Sequence, residues 1–405
     1  MVLCAGCCDA ALVIDGERVV GPGAGGRGRG AGAGAGGAGM RDAAAGPSGG
    51  VFSDDFTMKK LLGQGASSKV MHVRCRETQR PFAAKMMRVQ GHTPQQRVAS
   101  KRAMLSEADK MDRLRHPGLV GLERFYVEPE QVVLVLELMQ GGTLLDLILD
   151  QGPLPEHEAR ASMRALLGAL AHLHAHQVVH RDVKPDNVML PIAGAVAQAQ
   201  LMDLGFARTL RPDGTYTDVS GTPAYMAPEV VKHIRGDPDA RMSVAVDCWA
   251  AGCVLYMLLG GYPPFQGDSV EDVFDDIVYS VPHFNAPVWG GVSLKAKLFI
   301  RKLLHEFPEQ RLTARRALQD PWLKEVASAA EITLEIQSGR TLSGGARGHR
   351  GGGGGGGGSP YSPKPMRSPF LEMQERHANS HGEGFVRSLQ RVFSRNKRMQ
   401  TVVPR

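Results

Sequence analysis

The sequence predicts an α+β protein of two lobes, a small sheet-rich one followed by a larger helical one. Three observations carry that expectation. Apolar residues alternate between Phe56 and Leu138, apolar residues at helical spacing take over after Gly141-Gly142, and glycine-rich stretches without periodicity flank both. An apolar residue at every second position lines one face of a strand, and one at every third or fourth lines a helix, so the change of period marks a change of architecture.

The pattern begins abruptly at Phe52-Ser53-Asp54-Asp55-Phe56, and the domain start is placed near Phe56. A strand leads from there into a glycine turn. Further strands are expected at 69–74, 81–87, 119–127 and 132–138, with one helix at 94–113 among them. Helices follow at 155–176, 244–259, 269–279 and 294–304, and the organised sequence closes at Pro321-Trp322-Leu323. The expected organisation is a disordered Gly/Ala-rich leader (1–51), a folded domain (56–323, small lobe 56–139 and large lobe 140–323), and a flexible tail (324–405) with a glycine run and three Ser-Pro pairs.

With 405 residues and 42% hydrophobic content the chain can bury a sizeable core. Much of the formal charge of +7 comes from arginines in the tails, so a mildly basic globular protein is expected and no nucleic-acid partner. Of the six cysteines, Cys75, Cys248 and Cys253 sit in apolar or strand-like sequence, and no metal-type pairing accompanies them. A reducing, cytoplasmic location is therefore expected. The first residues lack a basic region and lack Gly at position 2, so neither a secretory signal nor myristate is expected. Cys4, Cys7 and Cys8 can accept palmitate, which would bring the chain to a membrane.

Leu62-Gly63-Gln64-Gly65-Ala66-Ser67-Ser68-Lys69-Val70 lies between two expected strands, where small residues let backbone N–H groups lie close over phosphates. Alone, it is equally a hairpin turn. On the next strand, Phe82-Ala83-Ala84-Lys85, alternation can turn Lys85 towards the α- and β-phosphates of a nucleotide. A buried lysine needs a counter-charge, and Glu107 in the helical segment is the best supplier.

His180-Arg181-Asp182-Val183-Lys184-Pro185-Asp186-Asn187 assembles a base, a cation and a metal ligand in one loop. Here the sequence resembles the eukaryotic protein kinase family, whose catalytic loop it matches at His180, Arg181, Asp182, Lys184 and Asn187. The resemblance covers about Phe56 to Leu323 and implies the two-lobed protein kinase fold, with ATP and Mg2+ in the cleft between the lobes. It implies that Asp182 orients the acceptor hydroxyl and takes its proton, that Lys184 neutralises the transferred phosphoryl group, and that Asn187 and Asp203 hold magnesium. Asp203-Leu204-Gly205 has Leu204 where the family more often has Phe, so leucine is expected to serve as the apolar plug. Adenine would lie against the hinge Glu137-Leu138-Met139, behind the gatekeeper Leu136 and near Ala83.

Gly221-Thr222-Pro223-Ala224-Tyr225-Met226-Ala227-Pro228-Glu229 resembles the end of a kinase activation loop and, with Lys184, implies Ser/Thr acceptors in protein substrates. Thr222 is expected to bond Asp182 and Lys184, Glu229 to pair with Arg311, and Asp247 to brace the catalytic loop. Asp218 stands where many related kinases need a phosphothreonine, and a fixed carboxylate there can pair with Arg181 and give basal activity. The competing classes are a catalytically dead scaffold and a small-molecule phosphotransferase; the complete set Lys85, Asp182, Asn187 and Asp203 weighs against the first.

Gly260-Gly261-Tyr262-Pro263-Pro264-Phe265 and Arg311-Leu312-Thr313-Ala314 look like the calcium/calmodulin-dependent kinase group. Kinases similar to cyclic-AMP-dependent kinase carry acids for substrate arginines where this chain has Thr143 and Met257, and only Asp186 remains nearby. In the tail, segment 385–399 places Phe385, Val386, Leu389, Val392 and Phe393 at helical spacing among arginines, a pattern that suits calmodulin or an anionic membrane.

Overall fold

Alternation in the first lobe builds one twisted antiparallel sheet. The computed structural model describes residues 50–64 and 68–325; Cys4, Cys7 and Cys8, the loop residues Gly65, Ala66 and Ser67, and the segment 385–399 lie outside them. A single turn, α1 (Phe52–Asp55), leads into β1 (Phe56–Gln64), β2 (Ser68–Cys75) and β3 (Pro81–Arg88). Helix α2 (Pro94–Arg113) then precedes β4 (Leu122–Val127) and β5 (Gln131–Glu137), giving a sheet of order β1-β2-β3-β5-β4. Phe56, Val73, Phe82, Ala84, Tyr126 and Val133 pack together on one face of it. By the period of two, Ala83 and Lys85 take the other face, which looks into the cleft. Phe52 is buried as well, stacked on Phe56 at 5.5 Å and edge-on to Tyr126 at 5.6 Å.

Helix α2 starts at a capping box in which Thr93 and Gln96 satisfy each other's backbone donors, with Pro94 at the first position. It turns Glu107, Ala108 and Met111 inward. The strand expected from residue 119 begins only at Leu122. Before that, Leu119 forms a parallel bridge to Leu201, and the Val120 N–H donates to Leu201 O at 3.0 Å. That stretch of backbone is committed to the second lobe and so is not free to join the sheet.

The second lobe contains α3 (Leu144–Gln151), α4 (Glu156–Ala175), β6 (Val178–Val179), β7 (Val188–Met189), β8 (Gln200–Leu201) and β9 (Arg208–Thr209). After these come α5 (Pro228–Ile234), α6 (Ala245–Gly260), α7 (Val270–Tyr279), α8 (Leu294–Leu303), α9 (Ala314–Ala317) and α10 (Pro321–Lys324). Helix α6 is buried along nearly its whole length and forms the axis of the lobe, with α4 and α8 packed on it. The apolar run Gln200-Leu201-Met202 before Asp203 reads as a strand in the sequence and forms β8, whereas helices α3 and α5, the ladder β6–β9 and the partner strand β7 were not among the sequence expectations. They are too short for a period to show. Among the described residues no helix is long and apolar enough to cross a membrane.

Three imidazoles cluster where the connection after α2 meets α4: His116 stacks on His172 at 4.9 Å, and His176 is tilted against His172 at 4.5 Å. His116 Nδ1 accepts the Gly118 N–H at 3.0 Å, and His172 Nε2 is buried without a hydrogen-bond partner among the described residues. Burial holds both imidazoles below their usual range, and for His172 the facing His116 and His176 rings add to it. The unfolded chain therefore binds more protons than the folded one below about pH 6.5, so stability present above that pH is lost as it falls further. Melting temperature is expected to drop between pH 7.5 and 5.5, and to drop less steeply in His172→Phe. An identical slope in the variant would show that the stack does not titrate with folding.

Candidate active site

One ammonium group joins the two lobes. Lys85 Nζ on β3 donates to Glu107 Oε1 on α2 at 2.9 Å and to Asp203 Oδ1 at 3.0 Å, and all three side chains are buried. The pairing with Glu107 is the one expected from the sequence; the share taken by Asp203 was not foreseen. Burial pushes the Glu107 carboxyl up, and Lys85 opposes it. The ion pair thus survives only while all three elements hold their places.

The catalytic loop is fixed from beneath. Asp247 on α6 accepts the backbone N–H groups of His180 and Arg181, both at 2.8 Å, and lies 2.9 Å from His174 Nε2. Burial alone would raise this carboxyl, but the hydrogen bond and charge of His174, with the His180 backbone, hold it below the usual carboxylate range. The clamp holds Arg181 in a strained backbone of φ 72°, and Asp203, outside the clamp, is also left-handed at φ 66°. Such left-handed positions cost about 1–3 kcal/mol each and cluster at functional sites.

Above this floor Asp182 is held on both oxygens. Thr222 Oγ1 donates to Oδ1 at 2.8 Å, Asn187 Nδ2 donates to Oδ2 at 2.8 Å, and Lys184 Nζ lies 2.9 Å from Oδ2 and 2.8 Å from Thr222 Oγ1. Gly221 lets Thr222 come this close: its φ is 120°, and a Cβ there would stand 2.5 Å from Arg181 O. Asn187 Oδ1 is buried and has no hydrogen-bond partner among the described residues. With the Asp203 carboxylate it offers the oxygen donors a hard cation such as Mg2+ takes, so the residues present fit that ion.

Leu62, Leu138, Met139 and Met189 line the hinge end of the cleft. Ser68 and Ala83 are buried, Val70 is half-buried, and Gln64 and Lys69 are exposed. Glu137 is exposed too; its N–H donates to Gly121 O at 3.0 Å, and its side chain lies at Gly121. Among the described residues no hydrogen bond takes up the Met139 N–H, which suits an adenine acceptor. Met189 was missed in the sequence, although as the second residue of the strand after Asn187 it is placed to form the floor. Leu204 is 3% exposed and packs in the large core, as a plug must.

The activation segment is tied to the loop by charge. Arg181 lies 2.8 Å from Asp218 Oδ2 and also donates to Asp218 O at 2.7 Å. Arg208 shares the same carboxylate oxygen at 3.0 Å, a partner the sequence did not reveal. Burial opposes ionisation of Asp218, but Arg181 and Arg208 win and hold its carboxyl low. Lys110 of α2 stands near: burial first, and then Arg208, keep its ammonium below the usual range.

This is the constellation of a protein kinase. The Protein kinase domain family model matches residues 56–323, and the chain belongs to that family. It is a protein serine/threonine kinase, similar to the calcium/calmodulin-dependent and myosin light chain kinases. A probable myosin light chain kinase of Dictyostelium discoideum is 35% identical over 271 residues, 67% of this chain and 84% of that one. Human calcium/calmodulin-dependent protein kinase type IV is 34% identical over 272 residues, 67% of this chain and 54% of the human protein. The twitchin kinase region of C. elegans superposes with a TM-score of 0.62 at 28% identity, covering 73% of this chain and 52% of that one.

Glu229, at the end of the activation segment, is bound by Arg311 through two hydrogen bonds of 2.7 and 2.9 Å. Their side chains are 6% and 0% exposed, and Arg311 also covers the Trp249 ring at 5.1 Å. Removing one charge from so buried a pair leaves the other uncompensated. Glu229→Gln is expected to lower unfolding free energy by about 3 kcal/mol in a urea titration; a loss below about 1 kcal/mol, the value of an exposed pair, would contradict this.

Proposed function

We propose that this kinase transfers the γ-phosphate of ATP to protein Ser and Thr hydroxyls without prior phosphorylation of its own activation segment. The Arg181–Asp218 ion pair, at 2.8 Å, carries the proposal. A carboxylate built into the chain occupies the catalytic-loop arginine that an added phosphate would otherwise neutralise.

In the proposed reaction Asp182, held by Asn187 and Thr222, orients the acceptor hydroxyl and takes its proton as the oxygen bonds to the γ-phosphorus and the bond to the ADP oxygen breaks. Lys184, beside Asp182, offsets charge on the moving phosphoryl group, and Lys85, held by Glu107, draws the α- and β-phosphates into line. Asn187 and Asp203 would hold Mg2+, which supplies charge neutralisation at the phosphates. For the substrate, Asp186 supports one basic residue: its Oδ2 is buried without a hydrogen-bond partner among the described residues, and burial pushes its carboxyl up, so a cation would be welcome there. Thr143 and Met257, both buried, add no second acid.

Asp182→Asn is expected to lose about 10³-fold in peptide phosphorylation at an unchanged melting temperature. Phosphatase-treated wild-type enzyme keeps its activity, Asp218→Ala falls at least about tenfold, and Asp218→Glu recovers part of the loss. Activity that vanishes on phosphatase treatment and returns with phosphorylated Thr217 would overturn the basal-activity proposal.

For the tail, the regularly spaced apolar residues and arginines of 385–399, together with the calmodulin-dependent relatives, support a calmodulin-binding segment. A cytoplasmic location is proposed with it, since the described cysteines Cys75, Cys248 and Cys253 are unpaired. Calorimetry with a peptide spanning 383–403 is expected to give saturable binding to calcium-loaded calmodulin. Binding only to phosphatidylserine vesicles would make the segment a membrane anchor acting with Cys4, Cys7 and Cys8, and no binding to either would remove both roles.

A further inference from the structure

The cleft continues past its hinge end. A cavity of about 250 Å3 runs from Leu62, Met139 and Met189 out beneath β1 and β2, where Lys60, His72 and Arg74 line it. His72 and Arg74 lie two and four residues beyond Val70 on β2 and share its cleft-facing side, as Lys60 shares that of Leu62 on β1. Positive charge at this end is unbalanced. Among the described residues neither Lys60 nor Arg74 forms an ion pair, and His72 Nε2 is buried without a hydrogen-bond partner. Burial first, and then Lys60, Arg74 and Lys59, hold the His72 imidazole below its usual range. Asp146, past Gly142, is already engaged by the Thr143 N–H and hydroxyl, both at 2.9 Å.

The triphosphate of ATP does not answer this charge. Val70 pairs with Lys85 across the sheet, whereas Arg74 pairs with Pro81, four residues back along β3. At the rise of a strand that places the two cationic ends about 13 Å apart. Phosphates drawn to Lys85 therefore leave Lys60, His72 and Arg74 to another anion. Between the two ends the walls are apolar: Leu62, Leu138, Met139, Met189 and Pro81.

We propose that Lys60, His72 and Arg74 form a second anion subsite of the nucleotide cleft, which takes the carboxylate of a ligand whose flat apolar ring lies against Leu62 and Met189. The ligand class is an aromatic acid that competes with adenine, and the proposal rests on the adenine assignment given above. Lys60 and Arg74 are exposed, so solvent screens part of the attraction.

The test uses N6-(3-carboxyphenyl)adenine and N6-(4-carboxyphenyl)adenine against the matching carboxamides, each competed with ATP on the full chain. At least one acid is expected to bind about tenfold more tightly than its amide at low salt, with the advantage shrinking as salt rises. The advantage disappears in a Lys60→Ala, Arg74→Ala double variant, whose unchanged affinity for the amides reports an intact cleft. Equal affinity of acid and amide for both isomers, or an advantage that survives the double variant, overturns the subsite alone. Failure of the amides to compete with ATP overturns the adenine assignment and the subsite with it.

Discussion

Three hydrogen bonds converge on the buried Asp247 carboxylate, and the geometry of the catalytic loop rests on them. Two come from consecutive backbone N–H groups, His180 and Arg181, the second of which has a left-handed backbone that a side chain of its size disfavours. Because α6 is buried on nearly all sides, its Asp247 cannot follow a moving loop; the loop must conform to it. Asp182 is thereby presented upward to Thr222, Asn187 and Lys184, and Arg181 outward to Asp218. One buried acid sets the positions of a base, a cation and the anchor of the activation segment.

The same economy governs the join between the lobes. Lys85 is shared by Glu107 on α2 and by Asp203, two residues after β8, so the sheet, the helix and the second lobe meet at one ammonium. Next to it, Leu119 and Val120 lock the chain leaving α2 onto Leu201, two residues before Asp203. A displacement of α2 would therefore be felt at the carboxylate that completes the cation site. The Arg181–Asp218–Arg208 cluster ties the activation segment to the catalytic loop, and Lys110, on the same helix as Glu107, is repelled by Arg208 and Arg181 rather than held by them.

The chemistry of the site was legible in the sequence because buried charges come in sets. A lysine on an apolar strand required an acid, and Glu107 supplied it; that Asp247 braces the catalytic loop followed from the resemblance to the protein kinase family, and the hydrogen bonds to His180 and Arg181 bear it out. The two lobes were legible through the change of period at Gly141-Gly142. Other features had no local signal. Asp203 as second partner of Lys85 and Arg208 as second partner of Asp218 depend on how distant segments fold back, 118 and 10 residues apart in sequence. Helix α3 announced itself only by its cap, Thr143 and Asp146, and α5 only by Pro228 at its first position. Met189 sits on a two-residue strand where no alternation can appear.

That Asp247 positions the catalytic loop, beyond contributing to stability, is tested most directly by Asp247→Asn, which keeps the shape of the side chain but replaces one acceptor oxygen with an amide that cannot accept from Arg181 or His180. A folded variant with cooperative melting is expected, with kcat for peptide phosphorylation reduced about 100-fold and KM for ATP within about twofold of the parent, because the hinge and Leu62 are untouched. A variant whose kcat stays within a few-fold of the parent would contradict that role and reduce Asp247 to a purely structural residue.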